Sequence, residues 1–356
     1  MGQLPLFDRG FGSLCEGCDW FDDCGGAATD FACSPWRGIV EPGGESVLHP
    51  TQARTSHYLA AVGGPSFNVP ILRQALPALP PYLPQVRRRS ALHGWLNERI
   101  YAVRAKDVVG ERAHVLRAAE FRETVGLSAD QQLVLLLFDR DPILERLWEQ
   151  STRLLPEIAE AEYDAVVAPS YSIWLPRPRT EFLYNVKRSI VIFRALQQMK
   201  VPVIPRMAWV IEHDVRRFAE WAADPALEIV SLDLMTFRSD SDWRRQLDGL
   251  ALFDRLTGRR LRYLVNGPTT VERYADLYNS VPPRRLSITN ATMAAPFSAN
   301  EQDEQEHAQL AIPMSGRYGA GREIAARCKR QRATLAQARN LVQTRRTARR
   351  QIRPAA

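Results

Sequence analysis

Four of the five cysteines, Cys15, Cys18, Cys24 and Cys33, fall in one short N-terminal stretch with the spacing C-x2-C-x5-C-x8-C, and the fifth is Cys328. Two thiolates at C-x2-C spacing can hold one ion from a tight turn, and two more complete a tetrahedron. The same four sulfurs suit an iron–sulfur cluster, whose ligands are also thiolates. Zn2+ or such a cluster is therefore expected here, and the two remain alternatives. Clustered cysteines in a chain with no secretory leader indicate metal rather than disulfides, and a reducing, cytoplasmic setting.

A second set of chemical groups stands just after short apolar runs. Asp139 and Asp141 follow LVLLLF; Ser170 and Ser172 follow AVVAP, with Arg177 and Arg179 in a proline-flanked loop beyond. Arg206, Glu212 and Asp214 follow VPVIP, Asp233 and Thr236 follow EIVSLDL, Asn266 follows LRYLV, and Thr289 and Asn290 follow RRLSIT. The carboxylates Asp139, Asp141, Glu212 and Asp214 are candidates for proton transfer or for a hard cation. Arginines grip phosphate or carboxylate bidentately, so Arg177, Arg179, Arg188 and Arg206, with Ser170, Ser172, Asn185 and Asn266, are the candidate substrate-binding groups. Taken singly, Asp141 and Asp214 also read as helix N-caps, and Lys187 and Arg188 as the solvated face of a helix. G-x-S-x-G, H-E-x-x-H and P-loop patterns do not occur, and no G-x-G-x-x-G follows a strand.

The net charge of +7 is concentrated at one end. Residues 316–356 carry 12 Lys/Arg against Glu323 alone, leaving 35 basic and 39 acidic groups in the rest. Arg327, Lys329, Arg330, Arg345, Arg346, Arg349 and Arg350 form the densest part of this arm. Clustered arginines neutralise phosphates and release counterions, so nucleic acid is the expected partner. Tyr318 is the arm's only aromatic residue, which favours backbone contact over base stacking.

The elements that position these groups follow from periodicity. Residues 1–45 form a Cys-rich metal-binding segment, and 46–98 a proline-rich strap. The strap's densest part, residues 63–84, should bury Phe67, Ile71, Leu72, Leu79 and Leu83 over the following domain. Apolar runs at 99–104, 133–138, 165–169, 201–205, 228–234, 261–265 and 284–289 read as parallel strands buried on both faces. Helical patterns at 142–160 and 180–199 lie between them, at βα-unit spacing. The expected fold is α/β, a (β/α)8-like barrel of seven or eight units over 99–315, with residues 308–313 as a weak eighth strand. The tail, 316–356, has a helical composition with sparse apolar positions, and no apolar run is long enough for a membrane helix.

The runs VVAPSYSIWLPRPRTEFLYNVKRS (166–189) and VPVIPRMAW (201–209), with Asp214 and Trp221, resemble an uncharacterised bacterial and phage family catalogued only as a domain of unknown function. Residues 135–149 and 79–86 share the likeness, which spans about residues 79–290. The resemblance implies a mobile-element neighbourhood and no activity. It singles out Ser170, Ser172, Arg179, Asn185, Arg188 and Asp214, although Ser170 stands where Asn or Asp is expected. Locally, CEGCDWFDDCGG resembles auxiliary cluster segments of radical enzymes, while the C-x3-C-x2-C of the radical-generating cluster does not occur.

These features predict a metal-containing (β/α)-barrel enzyme acting on nucleic acid or a nucleotide. The alternative is a non-catalytic DNA-binding or adaptor protein of a mobile element. A small-molecule barrel enzyme with an incidental tail is a third.

Overall fold

Short apolar runs ending in polar residues form strands whose neighbours cover both faces, the condition for parallel pairing. The computed structural model describes residues 20–24, 55–67, 69–88, 98–110, 114–173, 179–237, 239–290 and 329–345. The strands are β1 (Gln85–Val86), β2 (Ile100–Arg104), β3 (Gln132–Leu136), β4 (Ala165–Val167), β5 (Val203–Ile204), β6 (Arg206–Met207), β7 (Ile229–Asp233), β8 (Arg262–Asn266) and β9 (Leu286–Thr289). The helices are α1 (Phe21–Cys24), α2 (Thr55–Ala61), α3 (Ala105–Val108), α4 (Ala118–Val125), α5 (Asp141–Glu149), α6 (Ser151–Glu160), α7 (Arg179–Gln198), α8 (Glu212–Trp221), α9 (Asp240–Leu256) and α10 (Val271–Ser280). All seven expected strands occur, and the expected eighth at 308–313 lies outside the described residues.

The strands make two wholly parallel sheets, in the orders β1-β2-β3-β4-β5 and β6-β7-β8-β9, and not one closed ladder. Pro205 divides β5 from β6 because it has no N–H to donate. The Ile204 carbonyl accepts from Ala168 in the first sheet (2.9 Å), and the Pro205 carbonyl accepts from Ser231 in the second (2.8 Å). At the opposite edges Tyr82 forms a parallel bridge with Ile288. There Leu83 N–H donates to the Ile288 carbonyl and Ile288 N–H to the Pro81 carbonyl, each at 2.9 Å.

Alternate residues along a strand face opposite ways. Tyr101, Val103, Leu133, Leu135 and Val166 join the core shared with the helices. Ile100, Ala102, Val134, Leu136, Phe138, Ala165, Val167, Ile204, Ile229 and Leu264 belong to a separate apolar cluster with Leu79 and Leu83. Burying each Val, Leu, Ile or Phe of these is worth about 1.5–3 kcal/mol. Residues two positions further along β2, β6, β7 and β8 continue on the side of this inner cluster and carry the polar groups.

In the strap Phe67, Val69, Ile71, Leu79, Tyr82 and Leu83 are buried, but Leu72 is 48% exposed. Gln74 fastens it, donating to the Val201 carbonyl (2.6 Å) and accepting from Val203 N–H (2.8 Å). The end of the strap becomes strand β1, a role its proline density concealed. Residues 329–345 are helical. Their sparse apolar positions Leu335, Ala338 and Val342 are buried, the Tyr274 hydroxyl donates to Gln331 (2.7 Å), and the Arg339 guanidinium lies over the Tyr278 ring (5.7 Å). The thin stripe is enough because α10 supplies the complementary surface.

Candidate active site at the strand C-terminal ends

Arg206 follows Ile204 at a spacing of two, so β6 turns it toward the side of the inner cluster. Asp233 has the same relation to Ile229, through Ser231. Both line a cavity of about 60 Å3, room for a few waters or one small group of a ligand. Asp139, Ser170, Tyr171, Ser172, Ile173, Met235, Thr236 and Phe237 complete its lining. The Arg206 residue is only 7% exposed, and its Nε and Nη1 are buried without a hydrogen-bond partner. Burial pushes its pKa down to about 10, with the Asp233 carboxylate opposing the shift. A guanidinium held this way is charged at neutral pH and short of an anion.

Asp233 is held from several sides. Its Oδ2 accepts from the Ser170 hydroxyl (2.9 Å), and its Oδ1 from Asn266 Nδ2 (2.9 Å) and Met235 N–H (3.2 Å). Gln85 Nε2 donates to Asn266 Oδ1 (3.2 Å) and to Thr289 Oγ1 (3.1 Å), joining β1, β8 and β9 behind the carboxylate. Gly267 lets the chain after β8 pass the β7–α9 loop. Its φ is +119°, and a Cβ there would stand 2.5 Å from Met235 N. Asp139 is fully covered and already engaged: Oδ1 accepts from Arg104 Nη2 (3.1 Å) and Arg140 N–H (2.9 Å), and Oδ2 from Lys106 N–H (2.9 Å).

Four other expected site residues form a support under the β4–α7 loop. The Ser172 hydroxyl donates to Asp141 Oδ1 (2.5 Å), and Asn185 Nδ2 donates to the Ser172 carbonyl (2.7 Å). Arg188 Nη2 donates to Asn185 Oδ1 (2.6 Å), and its fork grips Glu145 at 2.5 and 2.9 Å. The same guanidinium lies 3.8 Å from the Tyr171 ring centroid and 4.7 Å from that of Tyr184. Lys187 and Arg188 are buried and not solvated. Lys187 Nζ donates to the Ser66 carbonyl (2.5 Å) in the strap.

Arg179 and Asp214, expected on separate duties, pair with one another away from the cavity. Arg179 Nη1 donates to Asp214 Oδ2 (2.9 Å) and Nη2 to Oδ1. Neither Asp141 nor Asp214 is an N-cap, since Arg140 and Ile211 hold those positions; Asp214, the third residue of α8, reaches back to accept from the N–H groups of Val210 (2.9 Å) and Ile211 (3.1 Å). The Arg179 Nε and Nη2 donate to the Cys24 carbonyl at 3.2 and 2.6 Å. Burial would lower the Arg179 pKa, but Asp214 outweighs it and the net shift is upward. Glu212 pairs with Arg216 one turn on, along α8.

Of the four expected metal ligands only Cys24 lies within the described residues, where it is buried. Cys15, Cys18 and Cys33 lie outside them, as do Arg177, Arg327, Arg346, Arg349 and Arg350. Among the described residues no group of three or more His, Cys, Asp or Glu is placed to hold a metal. Lys329, Arg330 and Arg345 stand exposed on the terminal helix.

Gln85 and Arg104 were not among the expected site residues. Arg104 was legible, since it continues the inward phase of Ile100 and Ala102. Gln85 was hidden because its strand is only two residues long and follows a run of prolines.

The segment carrying β2–β5, α7 and α8 is the part of the chain with a family match. Residues 100–223 match the family model of DUF4417, a domain of unknown function. The DUF4417 segment thus includes Asp139, Ser170 and Arg206, while Asp233 and Asn266 stand beyond it. No curated protein matches the sequence. Among solved structures, a native KDPGal structure aligns with TM-score 0.38 at 11% identity, over 74% of this chain and 99% of that one. A mandelate oxidase variant aligns with TM-score 0.39 at 11% identity, over 81% and 88%. The copper homeostasis protein CutC from Streptococcus agalactiae aligns with TM-score 0.34 at 14% identity, over 58% and 97%. Each score is too low to bear on the chemistry of the DUF4417 segment. No helix among the described residues is long and apolar enough to cross a membrane.

Proposed function

We propose that this chain is a (β/α)8-like barrel enzyme, acting in the cytoplasm on a nucleotide or nucleic acid at the C-terminal ends of its strands. Arg206 grips a phosphate, and Asp233 gives or takes the proton through Ser170 or directly. The barrel reading is supported by the two seams, at Pro205 and at Tyr82–Ile288, which bring both sheets together edge to edge. The observation that carries the function is the buried Arg206 guanidinium, whose Nε and Nη1 have no hydrogen-bond partner, lining a cavity. Buried donors left without acceptors destabilise a charge that Asp233 only partly balances, and a bound anion would satisfy them. Asp233 lies beside it at hydrogen-bond distance from a hydroxyl, as proton transfer requires.

The test is phosphate release from nucleoside phosphates and short oligonucleotides, with full-length protein and its Arg206→Gln and Asp233→Asn variants. Turnover lost in both variants at unchanged fold is the expected result. Wild-type turnover that survives Arg206→Gln would overturn the reading.

We assign Zn2+ or an iron–sulfur cluster to Cys15, Cys18, Cys24 and Cys33. Support comes from the spacing of the four thiols, of which Cys24 is buried beside the Arg179–Asp214 pair. When bound, zinc would staple the segment and a cluster would supply electron transfer. Metal and sulfide content of anaerobically purified protein decides between them.

A second reading, a non-catalytic DNA-binding or adaptor protein of a mobile element, is favoured by the terminal helix. Its apolar side is docked while Lys329, Arg330 and Arg345 face solvent. Replacing these three by Gln should flatten the salt dependence of nucleic-acid binding by about three in log–log slope. An unchanged slope removes the helix from the interface.

A further inference from the structure

Strand alternation brings three arginines to the same end of the inner face. Gln85 faces Asn266 and Thr289, so Arg87, two residues on, shares its side. Arg104 follows Ala102 in the same phase, and Arg206 follows Ile204. Val86 pairs with Val103, which makes Arg87 and Arg104 neighbours at adjacent strand ends. Arg206 lies past the other edge of that sheet, with β2, β3 and β4 between.

These cations are unevenly satisfied. Arg104 is held by Asp139 (3.1 Å) and the Phe138 carbonyl (3.3 Å). Arg87 has its Nε buried without a hydrogen-bond partner. Lys106, whose backbone N–H holds Asp139, is half-buried beside them. Burial lowers the pKa of both Arg87 and Lys106, and repulsion from Arg104 lowers each further. Asp107 and Asp139 offset part of this charge. Around the mouth Arg87, Arg104, Lys106 and Arg206 face Asp107, Asp139 and Asp233, and the two arginines of this set with orphaned nitrogens stand in different sheets, Arg87 just after β1 of the first and Arg206 in β6 of the second.

We propose that Arg87 and Lys106 form a second anion subsite across the mouth from Arg206, so that the substrate carries two anionic groups, one for each. This rests on the Arg206 reading and narrows it to two-headed substrates such as bisphosphates or phosphorylated carboxylates. Asp139 lies between the subsites, lining the cavity on one side and holding Arg104 and Lys106 on the other.

The probes are inorganic phosphate and α,ω-bisphosphonates with one, three or five methylenes between the phosphorus atoms, titrated calorimetrically into full-length protein. One bisphosphonate should bind about tenfold or more tighter than phosphate, because its second head binds intramolecularly. That gain should vanish in Arg206→Gln and equally in the Arg87→Gln, Lys106→Gln double variant, both unfolding in a cooperative transition no lower than the wild type's. Loss in Arg206→Gln alone overturns the second subsite and leaves the Arg206 reading standing. Loss in the double variant alone, or in neither, overturns the Arg206 reading and this proposal with it. A wild-type protein that binds no bisphosphonate more tightly than phosphate also overturns the two-headed site; phosphate binding in Arg206→Gln then decides the simpler reading.

Discussion

Arg179 grips Asp214 through both Nη atoms while its Nε and Nη2 reach the Cys24 carbonyl, so one buried ion pair joins the start of α7, the cap of α8 and the cysteine segment. The pair is 6% and 1% exposed. Breaking a buried pair leaves one charge without compensation, so Asp214→Ala should cost about 3–5 kcal/mol. Urea unfolding measures this. A loss under 1 kcal/mol would mean that the pair is not enclosed.

Arg206 should behave in the opposite sense. Its lowered pKa reports a charge that destabilises the fold in the absence of an anion. Arg206→Met should therefore raise stability by about 1–3 kcal/mol while abolishing anion binding. Thermal unfolding with and without inorganic phosphate separates the two effects. A destabilised variant would show that the guanidinium has a structural partner.

Asp107 provides a pH signature. Burial raises its folded pKa above the ordinary 3.8, so the folded state binds the proton more tightly than the unfolded one. Its contribution to stability is then most favourable at low pH and declines as pH rises from about 4 through the raised value. Asp107→Asn should flatten this part of the stability–pH curve. Parallel curves for the two proteins would refute the assignment.

The support under the β4–α7 loop should be separable from chemistry. Asn185→Ala removes the donor to the Ser172 carbonyl and the acceptor for Arg188, at a cost of about 1–3 kcal/mol. Amide exchange at residues 170–173 should rise with it. Unchanged exchange there would mean that the loop is held by other contacts.

Gly267→Ala tests the close approach of two loops at the cavity. The added Cβ meets Met235 N at 2.5 Å on a backbone with φ of +119°, so the Met235–Phe237 wall must move. Weaker phosphate binding together with reduced stability is expected. Wild-type binding would place the ligand away from this wall.

The strand positions were legible because parallel strands buried on both faces read as continuous apolar runs, as at 133–138 and 165–169. Arg206 and Asn266 were legible for a related reason, being the polar residues that end such runs. The strap hid β1, since the prolines that exclude helix also mask a two-residue strand, and Gln85 was lost with it. Asp214 read from sequence as an N-cap or as a catalyst, and the structure places it at the third position of α8, reaching back to Val210 and Ile211, because the N-cap is Ile211.

Residue order by itself determined the alternation of strands and helices, the chemical types at the strand ends, the four-cysteine spacing and the basic terminal arm. Those are local properties of period, composition and spacing. Tertiary structure alone decided which polar residues share a site, because pairing depends on strand register and loop crossing between positions far apart in the chain. It united Ser170 with Asp233 and Asn266 with Gln85, enclosed Arg179 with Asp214, and left the Nε and Nη1 of Arg206 buried without a hydrogen-bond partner.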